Sequence, residues 1–201
     1  MESEPGRGHR GERWIALGLE LIAIVAGVLL ALALNSWREQ RALDTEMARA
    51  MTRLGQEISQ NRSEFKSFMV TLEQRMQHLK ARGGDLDTTR TLIDQEGFEG
   101  FPFPELKDSV WQRVSHDPIA NRMPPEFIEG AFRLYSYNQL QADAAQAVRE
   151  FIYSPMFVDP QQTVLAYRIA MLLYQQQCDW GEQGLKAYDD FVARLPQWQT
   201  G

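Results

Sequence analysis

A chain of 201 residues is long enough for one domain of ordinary size plus an appendage. Its 21 basic and 27 acidic residues leave a net charge of −6, opposite to the basic surface of a nucleic-acid binder. The single cysteine, Cys178, excludes an intrachain disulfide and a C-x-x-C metal or redox pair; His9, His78 and His116 are widely spaced in the chain.

Residues 1–13 are expected to form a disordered N-terminal tail. Residues 14–36 are 23 in number and carry one charge, Glu20. A helix needs about 20 apolar residues to cross a hydrocarbon core of about 30 Å. At about 1.5 Å per residue this segment would be about 34 Å long. Trp14 and Trp37 bracket it as membrane-interface anchors, with Arg13 and Arg38 just outside. The run exceeds the apolar core of a cleaved signal peptide and continues into helix-forming sequence, so a retained transmembrane helix over 14–37 is expected. Glu20, Ala23, Gly27, Ala31 and Asn35 share one face at spacings of three and four. Ala23, Gly27 and Ala31 make a small-xxx-small ladder for another transmembrane helix, with Glu20 and Asn35 as polar groups at its ends. Arg7, Arg10 and Arg13 before the segment balance Arg38, Arg41 and Arg49 after it, so charge leaves orientation open. The layout of a short tail and a large C-terminal part favours tail inside and domain outside.

Residues 38–82 contain no proline and one glycine, Gly55. Met51, Ile58, Phe65, Leu72 and Leu79 recur every seven residues, and Met47, Leu54, Asn61, Phe68 and Arg75 form the partner set. This predicts a long amphipathic helix whose heptad face packs either on the chain's own C-terminal helices or in a coiled coil between chains. Joined to the apolar segment, it would form one rod of about 100 Å from residue 14 to residue 82.

Gly83-Gly84 ends the rod, and residues 83–201 read as a helical bundle completed by it. A short helix is expected in 85–97, capped by Asp85 or Asp87 and stopped by Gly97. A second is expected from Pro104 through His116, with Trp111 as a core anchor. A long helix follows from Pro125 to Tyr153. Asp159-Pro160 caps the last one, in which Gly181 and Gly184 mark a kink or interruption. The expected fold is all-α: a transmembrane helix, a long amphipathic helix and a C-terminal bundle.

No catalytic constellation emerges. G-x-S-x-G, phosphate-loop, G-x-G-x-x-G and H-E-x-x-H motifs are absent. Asp189-Asp190, and Asp85 with Asp87, read as solvated or capping acids, and Tyr135, Tyr137, Tyr153, Tyr167 and Tyr174 as the lining of a pocket or, more commonly for such residues, as filling of the bundle core. No enzyme activity, cofactor or metal is expected. Gly18 and Glu20, Gly27 and Ala31, Asn35 and Trp37, then Glu57, Ile58 and Asn61 form a pattern, with Trp111 and Tyr135 fitting more loosely. In these the chain resembles a bacterial family of small single-span membrane proteins classed as a domain of unknown function. The resemblance implies architecture and an inner-membrane location but no activity. That family's tails are richer in Lys and Arg than this one and imply tail inside, hence a periplasmic C-terminal domain.

Three functions suit these features. The leading one is a membrane-anchored interaction protein, either a homo-oligomeric scaffold or an accessory subunit of a larger membrane complex. Its partners would be the lipid bilayer and other transmembrane helices, of the same chain or of that complex. The alternatives are an extracytoplasmic sensor or ligand-binding module needing a partner for output, and an ion- or proton-conducting oligomer using Glu20.

Overall fold

Helix α1 runs Gly8–Arg82 without a break. It contains no proline, and its glycines are scattered singly, each a tolerable cost of about 1 kcal/mol. The structure, a computed structural model, describes the backbone of residues 8–199 and the side chains of residues 20–198. The chain divides into two units, residues 1–46 and 47–201.

In the first unit every described side chain from residue 20 to residue 42 is exposed. Large apolar groups point outward around the whole circumference, including Leu21, Ile22, Val25, Leu29 and Leu32. This part of α1 is long and apolar enough to cross a membrane. The Arg41 guanidinium lies 5.0 Å from the centre of the exposed Trp37 ring, one helical turn away.

The second unit is all-α, and among the described residues it contains no strand. Its elements after α1 are α2 (Ser109–Ser115), α3 (Pro125–Ile152), α4 (Pro155–Val158) and α5 (Thr163–Gln199), joined by single 3-10 turns at Leu92–Asp94, Pro118–Arg122 and Pro160–Gln162. The heptad pattern puts a wide stripe of α1 inside: Met51, Leu54, Ile58, Phe65, Phe68, Leu72 and Leu79 are buried, as is Asn61, while Met47 and Arg75 are half-buried. This face is therefore occupied within the chain, against α5, α3 and the segment that precedes α2.

Two glycines decide how closely α1 and α5 approach. A β-carbon at Gly181 would collide with the Met69 thioether, and one at Gly184 would lie 3.1 Å from the Phe65 ring. Their lack of side chains lets the larger residues of α1 seat against the α5 backbone. α5 runs uninterrupted through both glycines and through Pro196, so they do not break it. The same device joins α3 to α5, where Gly130 faces the Phe191 ring. Phe127, Phe191 and Trp198 extend this contact as an aromatic cluster, with ring centres 5.1–5.4 Å apart.

The segment between α1 and α2 departs from the sequence expectation. Residues 85–97 hold one 3-10 turn in place of a helix. The Gln95 side chain accepts from the Asp87 backbone N–H at 3.0 Å and donates to the Asp87 carbonyl at 2.7 Å. It thereby closes a loop that outcompetes helical pairing. Asp87 does not cap a helix; its carboxylate receives the Thr89 backbone N–H and hydroxyl, which hold it below the usual carboxylate range. Further on, Gly100 takes a positive φ of 74°. Its carbonyl accepts from the Tyr174 hydroxyl at 2.6 Å and from Arg75 at 3.2 Å. Phe101 stacks on Tyr174 with ring centres 4.7 Å apart, which pins the connector to α5.

At the other end of the bundle, the Asp159 carboxylate accepts from the Gln161 N–H at 2.9 Å and starts the turn that leads into α5. The short α4 opens on Pro155. Proline is compatible with a first helical turn, and the buried Phe157 holds this one in place.

Candidate functional site

The polar centre of the second unit is the Glu57 carboxylate, on the α1 face otherwise made of Leu54, Ile58 and Phe65. Only 5% of Glu57 is exposed. A carboxylate removed from water needs hydrogen-bond donors, and four converge here. One oxygen accepts from the Ser109 hydroxyl at 3.1 Å and the Val110 N–H at 2.9 Å. The other accepts from the Trp111 N–H at 3.2 Å and the Tyr135 hydroxyl at 2.5 Å. The first helical N–H groups of α2, which have no intrahelical partner, are thus capped from a different helix. The residue at the local cap position, Asp108, makes no side-chain capping bond.

One turn along α1, Asn61 is 1% exposed and pairs with the backbone of Lys107. Its amide donates to the Lys107 carbonyl at 2.7 Å and its oxygen accepts the Lys107 N–H at 2.8 Å. This two-way bond holds residue 107 out of any helix. The expected start of α2 at Pro104 is therefore corrected to Ser109: Asn61 clamps the chain before it, and Glu57 marks where helical pairing begins.

The network continues across the bundle. The Trp111 ring stacks on Tyr135 with centres 4.9 Å apart and planes 4° from parallel. On the neighbouring turn of α3, Asn138 accepts from the Tyr188 hydroxyl of α5 at 2.6 Å. Glu57, Asn61, Trp111 and Tyr135, separate marks in the sequence, meet in one place. In the sequence Asn61 stands out as a polar member of the heptad face, and Glu57 and Asn61 as part of the pattern that carries the resemblance; nothing there shows that they cap and clamp the start of α2. Asn138 and Gln141 had no sequence signal beyond their spacing on α3.

Burial shifts several phenols of the second unit. It pushes the Tyr135 phenol far above its ordinary value, and the bonded Glu57 carboxylate pushes it further. Burial raises Tyr188 to about 12, opposed by hydrogen bonds to Asn138 and Asn61. Tyr174 is likewise raised to about 12 by burial. Burial also raises the Cys178 thiol to about 11.

A folded-state pKa above the unfolded value of 10.0 means that these tyrosines stabilise the fold fully below pH 10. That contribution fades as pH rises through the folded values. Stability is thus expected to be level with respect to these groups from about pH 7 to about pH 9, then to fall by up to about 1.4 kcal/mol per pH unit for each tyrosine. Urea midpoints measured across that range, with phenolate absorbance read in parallel, check it. A level profile up to about pH 12 would show that the three phenols are not held neutral by the fold.

The residues expected to meet a membrane or a partner helix lie elsewhere. Glu20, Ala23, Gly27, Ala31 and Asn35 are all exposed in the first unit, and a β-carbon at Gly27 would have nothing within 4 Å. Trp37 is 54% exposed, and the Trp14 side chain lies outside the described residues. Among the described residues no group of three or more His, Cys, Asp or Glu is placed to hold a metal ion. Compared with protein-family models, curated proteins and solved structures, the chain finds no match.

Proposed function

We propose that this is a single-pass membrane protein whose helical second unit and transmembrane face serve interaction with partner proteins, as a homo-oligomeric scaffold or an accessory subunit of a larger membrane complex. The observation that carries the proposal is the first unit of α1. Its described apolar residues from Leu21 to Leu34 are exposed on all sides. A helix apolar around its circumference is stable in water only when covered, and its length suits a bilayer. Within lipid, the Ala23–Gly27–Ala31 ladder is the side on which a second helix approaches most closely, and Glu20 and Asn35 gain polar partners there. The membrane we propose is a bacterial inner membrane with a periplasmic C-terminal unit, a placement that rests on the resemblance of the span and the helix after it.

Two measurements test this. After alkaline carbonate washing, the full chain is expected in the membrane pellet and a chain lacking residues 1–37 in the supernatant. Release of the full chain by carbonate ends the anchor reading. Gly27→Leu is expected to leave the folded unit intact, since Gly27 touches nothing in the single chain. It should abolish cross-linked assemblies in mild detergent. Unchanged assemblies would remove the ladder from the interface.

A further inference from the structure

A cavity of about 370 Å³ lies between residues 103–112 and α3. That volume is within the range of small-molecule pockets, about 300–1,000 Å³. Phe103, Trp111, Phe132 and Tyr135 bring four aromatic rings to its wall, and Asp108 is the one charged residue among those that line it.

The face of an aromatic ring attracts a cation that comes within about 6 Å of the ring centre. Stacking between Trp111 and Tyr135 takes up one face of each. Tyr135 is also buried, so the half-buried Trp111 and Phe103 and the exposed Phe132 are the rings with a face left for a guest. Phe132 meets Trp111 edge-on with ring centres 6.4 Å apart, a contact that leaves its own faces uncovered.

The charge around the cavity has the matching sign. The Asp108 carboxylate makes no capping bond to α2, and the Gln112 amide reaches it at 3.3 Å. Behind the wall lies a second carboxylate, Glu57, bonded to the Tyr135 hydroxyl and the Trp111 N–H. Glu57 also takes up the positive end of α2, which would otherwise repel a cation. No Lys, Arg or His lines the cavity, so an anion would be desolvated there with nothing to meet it.

The wall narrows the class of cation. A primary ammonium carries three N–H donors and loses their water partners against aromatic rings. A trimethylammonium has no N–H to leave unpaired, and its methyl groups pack on the ring faces.

We propose that this cavity binds a trimethylammonium group, its methyls against the aromatic wall and its charge facing Asp108. The inference does not depend on how α1 meets lipid.

Saturation-transfer NMR titration of the full chain in an uncharged detergent tests it, with empty micelles as the partitioning control. The probes are choline and its neutral isostere, the alcohol in which a tert-butyl group replaces the trimethylammonium. Choline is expected to bind about tenfold more tightly than this alcohol. Asp108→Asn should weaken choline about fivefold, and Phe132→Leu, which keeps apolar bulk but removes a ring, about threefold. Neither should change binding of the alcohol. Both side chains are exposed, so both variants are expected to fold. Phosphatidylcholine added to the micelles separates two sources of the same group: displacement of choline supports a lipid headgroup in the cavity, and retention supports a free cation. The proposal is overturned by equal binding of choline and the alcohol, by choline binding that either substitution leaves unchanged, or by no saturable transfer from choline.

Discussion

Glu57→Ala is expected to destabilise the second unit by about 3–5 kcal/mol, as several donors lose their acceptor together at about 1–3 kcal/mol each. The loss has several parts. The Tyr135 hydroxyl, on a side chain that is 7% exposed, would keep no acceptor. The N–H groups of Val110 and Trp111 would lose the only acceptor described for them. An orphaned buried donor costs about 1–3 kcal/mol, less where water reaches it. Helix α2 has seven residues and no local side-chain cap, so it has little to hold its first turn once Glu57 is gone. Glu57→Gln keeps one acceptor oxygen and should cost less, about 1–2 kcal/mol.

The measurement is denaturant unfolding of the full chain in mild detergent, together with hydrogen exchange at the Val110 and Trp111 amides. Faster exchange at these two positions in Glu57→Gln, before global stability changes much, would identify Glu57 as the cap of α2. A Glu57→Ala variant with the parent's midpoint would mean that the carboxylate contributes nothing net. Tyr135→Phe, expected to cost about 1 kcal/mol, completes a double-mutant cycle with Glu57→Gln.

Phe65→Ala carries the second large effect, about 3–5 kcal/mol, the range for emptying a buried aromatic site. Phe65 is 0% exposed. It packs edge-on against Phe68 with ring centres 5.6 Å apart and against Tyr188 at 5.7 Å, and it seats over Gly184. The cavity left behind would open between α1 and α5, whose backbones are already held close by Gly184 and Gly181. Little collapse is available, which places the cost toward the upper end of that range. Gly184→Leu tests the same joint from the other side by overfilling it, at about 1–3 kcal/mol or more. Thermal or urea unfolding of each variant checks the pair. If Phe65→Ala cost less than about 1 kcal/mol, the α1–α5 joint would not be a close-packed core contact.

The amino-acid sequence alone determined the helical class and the apolar segment, because both rest on local periodicity. A seven-residue apolar repeat over 47–82 has one amphipathic solution, and 23 residues with one charge have few alternatives to a continuous helix. Helix α3 was legible for the same reason, and Asp159-Pro160 marked the approach to α5 through local capping chemistry. What the tertiary structure decided depends on partners distant in the chain. The start of α2 is set by Glu57, which lies 53 residues before Val110, and by Asn61, 46 residues before Lys107. No propensity within 104–116 contains that information. Gly181 and Gly184 look like breaks when α5 is read alone, and only Met69 and Phe65 of α1 show them to be points of close approach. The unpartnered Asn138 Nδ2 and Gln141 Oε1 belong to the same class. Their spacing is readable in the chain, but whether such groups are satisfied is settled by what the folded unit places opposite them.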